Sequence, residues 1–340
     1  MPRSLLAILA AAAATALLPG CKREFTNPFE SAARTATPPP GAALLFTSNA
    51  YASTPGAARD IFAAADDGSE LTRLTSCNTG GRRCDALEAA IAPDRQRLAV
   101  RRVDGGEATD PAALVFVDLA RNVEGTLVPS SARVMGVDWS PKAEVLVYSA
   151  DGSGGIEDIY RVDSNGLNPG RLTETPGARE RHPRIDPTGT MAAYERVDET
   201  GGGEIWIFRS GSSQTRVVPA PPAGAPLPGT PYVVGSAADP AYSPDGRSVV
   251  FRRLTGMGDG TRGTWDILTA AVDGSRVAVV ASGPAYRGAP DWGGRGIVFP
   301  ETDPASGTTS LVVVPPDGSS RRTVMSVGPG FTISSPRWLP

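Results

Sequence analysis

A chain of 340 residues with 39 glycines, 32 prolines and 6% aromatics is long enough for a sizeable core, but its Gly/Pro density interrupts helical periodicity and favours short strands joined by turns. The formal charge is −3, and of 33 basic residues only Lys22 and Lys142 are lysines; without a basic excess, a nucleic-acid partner is excluded. A single histidine and the lack of a G-x-S-x-G elbow, P-loop or C-x-x-C exclude His-based metal chemistry and the commonest hydrolase, nucleotide and redox sites, so neither a cofactor, a metal nor a catalytic residue is expected.

The chain opens with "MPRSLLAILAAAAATALLPGC", in which Arg3 precedes an apolar run from Leu5 to Leu18. At about 14 residues this is shorter than the ~20 of a membrane-spanning helix, and it has the architecture of a secretory signal peptide over residues 1–20. Leu18-Pro19-Gly20-Cys21 resembles the bacterial lipoprotein signal, which implies a diacylated Cys21. Lys22 after it implies outer-membrane targeting, with the protein facing the periplasm or the cell surface. Residues 21–41 lack apolar periodicity and end in three prolines, the composition of a flexible tether. In an exported chain, Cys77 and Cys84 in "SCNTGGRRC" read as a disulfide closing a short loop.

From residue 42 onward one unit recurs. "EAAIAPDRQRLAV" (88–100), "GVDWSPKAEVLVY" (136–148), "HPRIDPTGTMAAY" (182–194), "DPAYSPDGRSVVF" (239–251) and "APDWGGRGIVF" (289–299) share an anchor before a turn. The final "SPRWLP" is half of a sixth copy whose other half is "GAALLFTS" (41–48). The anchors Ile91, Trp139, Ile185, Tyr242, Trp292 and Trp338 are spaced 48, 46, 57, 50 and 46 residues apart. Between them runs a second hairpin of the type "DIYRVDSNGLNPGRLT" (158–173), so each unit offers four strands.

A four-stranded unit at that period is the mark of a β-propeller blade, because one small sheet buries its faces only against neighbours. Six copies predict an all-β, six-bladed propeller over 42–340. The split copy predicts ring closure by pairing of the C-terminal strand with the N-terminal blade, which removes an edge. The pattern "PxWSPDGxxIxF … DIYxxDxDGxxxxxLT" resembles the propeller repeat of the TolB family over nearly all of residues 42–340. TolB itself carries an α/β domain ahead of its propeller, where this chain has the tether. The resemblance implies a propeller-only relative and a peptidoglycan-associated protein as partner.

Repetition argues that the five tryptophans are inter-blade core and that Asp60, Asp158, Glu204 and Asp266 at third-strand starts are structural hydrogen-bonders. The Asp-Gly pairs at 67, 245, 273 and 317 are hairpin turns. Long loops gather on the face formed by second-to-third-strand and blade-to-blade connections, including the Pro-rich segment 219–238. Binding is expected on that face. Its inward loops carry Arg82, Arg83, Arg133, Arg179, Arg181 and Arg287, with His182 opening the strand "HPRID". As a set they are the candidate partner-binding residues, an Arg-lined mouth suited to anionic groups.

Three functions compete. The first is a monomeric envelope lipoprotein that binds a protein or peptide partner through the long-loop face. The second is a carbohydrate lyase or hydrolase using mouth carboxylates such as Asp198 and Glu199. The third is a surface lipoprotein with no specific ligand.

Overall fold

Each repeat folds as a four-stranded antiparallel sheet, and six such sheets form a β-propeller without an α-helix among the described residues. The structure is a computed structural model that describes residues 29, 33–34, 37–51, 57–77, 84–105, 111–142, 144–152, 155–209, 214–258, 260 and 262–340. Cys21, Arg82, Arg83 and the signal segment lie outside the described residues.

From the axis outward, blade one holds Ile333–Trp338, Leu44–Ser48, Asp60–Ala64 and Thr72–Arg73. Blade two holds Cys84–Ile91, Arg97–Asp104, Ala113–Asp118 and Val123–Val128. Blade three holds Gly136–Trp139, Val145–Asp151, Glu157–Asp163 and Gly170–Arg171. Blade four holds Arg179–Ile185, Met191–Val197, Gly203–Arg209 and Gln214–Val218. Blade five holds Ala237–Tyr242, Ser248–Met257, Gly263–Ala271 and Ala278–Ala281. In blade six the inner strand is broken into Tyr286–Arg287 and Asp291–Gly293, both paired with Gly296–Thr302; Thr309–Val314 and Arg322–Val327 follow.

The ring closes as the split repeat requires. Leu44 pairs with Trp338 and Ser48 with Ile333, antiparallel. The Ser48 hydroxyl donates to the Thr332 carbonyl (2.7 Å), and the Asn49 side chain accepts from the Thr332 N–H (2.8 Å).

The core lies between blades. Along one strand Leu44 and Phe46 pack toward blade six, whereas Leu45 packs toward blade two. Both faces of each sheet are covered, which is why second strands such as Leu44–Ser48, Val145–Asp151 and Gly296–Thr302 open on near-continuous apolar runs rather than alternating ones. The repeat anchors point back onto the preceding blade: Trp139 joins the blade-two core, Tyr242 that of blade four, and Trp338 that of blade six. Each such side chain contributes about 1.5–3 kcal/mol by leaving water.

The acidic residues at third-strand starts tie the blade edges. Asp60 accepts from the Thr75 hydroxyl and the Cys77 N–H, both at 2.7 Å, and the Thr75 hydroxyl in turn accepts from the Ile61 N–H at 2.9 Å. The same threonine bond recurs between Thr173 and the Ile159 N–H at 3.0 Å. The Asp-Gly turns need glycine twice over. Gly68 has φ +86°, and a Cβ there would sit 2.4 Å from the Val324 carbonyl oxygen of the preceding blade.

Cys77 and Cys84 form the expected disulfide. Part of the expected tether docks rather than hanging free. Phe29 is buried with edge-on contacts to Phe46 and Phe62, and Ala33–Arg34 adds a short parallel strand beside Thr72–Arg73. A phenylalanine beside an aromatic pair at a sheet edge gains more from burial than the chain loses in freedom at that point.

Candidate functional site

The inner strands line an axial channel, and a proline in the repeat shapes it. Pro cannot donate a ladder bond, so the X-Pro steps at His182, Asp239 and Ser335 are β-bulges where the pairing register slips. His182 (φ 49°), Asp239 (φ 51°) and Ser335 (φ 49°) adopt the left-handed conformation there. The geometry is uncommon for residues other than glycine and costs on the order of 1 kcal/mol or more. It turns all three residues toward the axis, where they line a common cavity.

One residue before each anchor stands a second tier. Arg184 of blade four is paired with Asp291 of blade six and lies 3.6 Å from Asp138 of blade three. The two carboxylates also staple neighbouring blades. Asp138 accepts from the Ile185 N–H at 2.8 Å and Asp291 from the Trp338 N–H at 2.6 Å. Arg337 of blade one pairs with Glu88 of the neighbouring blade two and reaches the Val137 carbonyl of blade three at 3.2 Å. Arg184 and Arg337 line both a polar cavity of about 90 Å³ on the long-loop side and a funnel of about 260 Å³ on the opposite side. They therefore form a septum across the channel.

His182 sits between blades four and five, its Nδ1 3.2 Å from Glu195 and 3.1 Å from Asp239. Its side chain keeps 27% exposure, through the channel. Glu195 also accepts the Asp239 N–H (3.2 Å) and the Tyr232 hydroxyl. Asp239 is paired with Arg252, whose guanidinium lies 4.0 Å over the Trp265 ring. The His182, Glu195 and Asp239 donor atoms lie within 4.8 Å of one another, the compactness of a metal site. Their lone pairs, however, are engaged by Arg252, Tyr232 and the Asp239 N–H, so the cluster is chemically an ion-pair hub.

Arg101, Arg184, Arg252 and Arg337 face Glu88, Asp138, Glu195, Asp239 and Asp291 around His182. Burial alone would push the imidazolium pKa down, but Asp239 and Glu195 outweigh it and hold the value above that of an ordinary histidine. For Asp239, burial is likewise outweighed by Arg252 and His182, and its carboxyl stays below the usual range. Burial wins at Glu88, Asp138 and Asp291, which are raised.

The expected Arg-lined mouth divides. Arg133 pairs with Asp151 (3.1 Å), while Arg179 (3.5 Å) and Arg181 both face Glu157. Arg133 and Arg179 side chains are 58% and 53% exposed, whereas Arg181 is buried. Arg287 departs from the expectation. Buried against Glu301 (2.8 Å), it donates to the carbonyls of Trp265, Gly283 and Ser282, so its guanidinium joins blades five and six and offers nothing to a ligand.

Near Arg179, a groove of about 360 Å³ lies on the long-loop face, with Asp198 and Glu199 on one side and Pro226 and Pro231 of the Pro-rich loop on the other. Asp198 accepts from the N–H groups of Thr200 and Gly202, both at 2.9 Å, and from the Thr200 hydroxyl at 2.7 Å. Although burial opposes them, these bonds hold its carboxyl below the usual range, the wrong direction for a general acid. The Pro-rich loop is fastened by Tyr232, which stacks edge-on against Trp265 (5.4 Å) and reaches Glu195. Tyr232, Glu88, Arg101 and Arg337 were not singled out from sequence. A lone aromatic in a proline-rich loop was the available signal for the first, and charges recurring just before the anchors for the last.

Comparison with solved structures places this geometry. TolB from Acinetobacter baumannii superposes with a TM-score of 0.64 at 17% identity, covering 90% of this chain and 69% of that one. The chain has the TolB-type propeller fold. A chain of the nidogen/laminin complex matches this chain at TM-score 0.62 and 11% identity, over 88% of this chain and 99% of that one. An oligogalacturonate lyase in complex with manganese matches at 0.52 and 14%, over 84% and 73%. No family model matches the sequence, and no curated protein matches it.

Proposed function

We propose that the chain is an exported envelope lipoprotein, anchored through Cys21 after removal of residues 1–20, whose propeller binds a protein or peptide partner without catalysis through its long-loop face. The groove between Arg179 and the prolines of the 219–238 loop carries this reading. It is a concavity with a proline wall, a wall carrying Asp198 and Glu199, and the exposed cation Arg179, built on rigid blades and bordered by a loop that is itself pinned at Tyr232. Pre-organised loops on a rigid scaffold bind with little ordering cost. The appearance of this fold in a TolB and in a nidogen/laminin complex fits such a role. Within it, 21–41 is the connection to the membrane, and a peptidoglycan-associated protein is the partner class the TolB likeness favours.

The test places a photo-crosslinking residue at Glu199 or Pro231 on the groove, and at Leu167, exposed on the opposite face. Crosslinks to one discrete partner from the groove positions alone, lost in Arg179→Glu, are expected. Equal crosslinking from Leu167 would overturn the assignment of the face. A Cys21→Ser chain that stays in the membrane fraction would overturn the anchor.

A further inference from the structure

The polar cavity above the septum contains cationic donors that the protein leaves unused. Arg337 is 7% exposed, and its Nη1 has no hydrogen-bond partner. Arg101 donates Nε to the Val134 carbonyl at 2.9 Å and has no ion-pair partner among the described residues, yet it lines the same cavity. A buried guanidinium N–H without an acceptor costs on the order of 1–3 kcal/mol or more; Nη1 of Arg337 is such a group, and the half-buried Arg101 on the same cavity carries a charge without an ion-pair partner, so together they mark a place for an acceptor. The lining is cationic. Arg101, Arg184 and Arg337, with His182 beside them, face it against Glu88 and Asp239, and both of those carboxylates already hold an arginine. Asp138 and Asp291, which balance Arg184, line the funnel on the other side of the septum instead. At about 90 Å³ the space holds a few water molecules or one small planar group, not a ring or a whole residue.

We propose that this cavity is a carboxylate-binding subsite, in which Arg101 and Nη1 of Arg337 hold the carboxylate that a peptide partner inserts into the channel from the long-loop side. The proposal rests on the partner-binding reading above and adds the chemistry of its central contact. The carboxylate can come from an Asp or Glu side chain or from a chain end, since both present the same two oxygens to the guanidinium fork.

The lone histidine supplies the readout, because its imidazole gives one NMR signal in the whole chain and lines the cavity. Acetate is titrated at constant ionic strength against chloride, followed by three capped glycine peptides carrying a free C-terminal carboxylate, an internal Asp with an amidated end, or no carboxylate. A saturable shift of the His182 signal with acetate is expected, at least tenfold weaker in Arg101→Gln and intermediate in Arg101→Lys, which keeps the charge but loses the fork. The stronger of the two acidic peptides identifies the source. No saturable shift with acetate up to ~100 mM, or an equal response to the peptide lacking a carboxylate, would overturn the proposal. If Arg101→Gln fails to fold, the Lys variant and the peptide series decide. All arms use the isolated chain, so a negative result here leaves the groove crosslinking above untouched.

Discussion

Asp291 is the residue whose loss the fold should feel most. It is 6% exposed and does two things at once, neutralising Arg184 and accepting the Trp338 N–H of the closing strand at 2.6 Å. In Asp291→Ala, Arg184 keeps only Asp138 at 3.6 Å and the Trp338 N–H loses its acceptor. Removing one partner of a buried ion pair costs about 3–5 kcal/mol, and an orphaned buried N–H about 1–3 kcal/mol. The two losses share one site and do not add fully, so about 4–5 kcal/mol is expected. Asp291→Asn keeps an acceptor for Trp338 and should recover about 1 kcal/mol. Adding Arg184→Met to Asp291→Ala removes the stranded charge and should regain about 2 kcal/mol. Equilibrium urea unfolding followed by tryptophan fluorescence measures these chains together with the Arg184→Met single variant that completes the cycle. A loss under about 1 kcal/mol in Asp291→Ala, or strict additivity in the double variant, would refute the claim that this pair holds the ring shut.

The His182 pKa, read from its single NMR signal, should lie above the ordinary 6.5. A raised folded value means that its contribution to stability is complete below about pH 6.5 and fades as the pH rises through the folded pKa. Stability should therefore decline from pH 6 to 8 in the wild type and stay flat in His182→Gln, as unfolding midpoints across that range would show. The Cys77–Cys84 loop spans a separation of 7 residues, for which chain entropy gives about 2.4 kcal/mol; reductant should lower the unfolding free energy by that amount, and a Cys77→Ala/Cys84→Ala chain should show no reductant effect. Tyr232→Phe strands one oxygen of buried Glu195 and should cost about 1–3 kcal/mol, with faster proteolysis inside 219–238. Intact protease resistance there would disprove the pinning.

What the sequence disclosed and what it hid divide along a physical line. Turn chemistry and strand periodicity are local, so the anchors from Ile91 to Trp338, the Asp-Gly turns and the split sixth copy could be read residue by residue. The spacing of Cys77 and Cys84 was local too. The channel was not, because the Glu88–Arg101 hairpin of blade two, Arg184 of blade four and Arg337 of blade one meet only after the ring has closed. Arg287 illustrates the opposite failure. In the sequence it resembles Arg133 and Arg179, a cation in an inward loop, but pairing of Tyr286–Arg287 with Glu301–Thr302 turns it into a buried tie. Phe29 was hidden by its polar neighbours, since a single docking aromatic has no period to reveal it.

The septum also determines what can travel through the molecule. Passage from one mouth to the other requires Arg184 or Arg337 to abandon a buried carboxylate, a step of about 3–5 kcal/mol. The open form is then roughly one molecule in 150 to 5,000. Passage through the ring is accordingly gated by these ion pairs, and its two ends are separate compartments that different occupants can fill at the same time. Any influence of one on the other has to pass through the side chains of the barrier itself, by Arg184 and Arg337 exchanging acceptors.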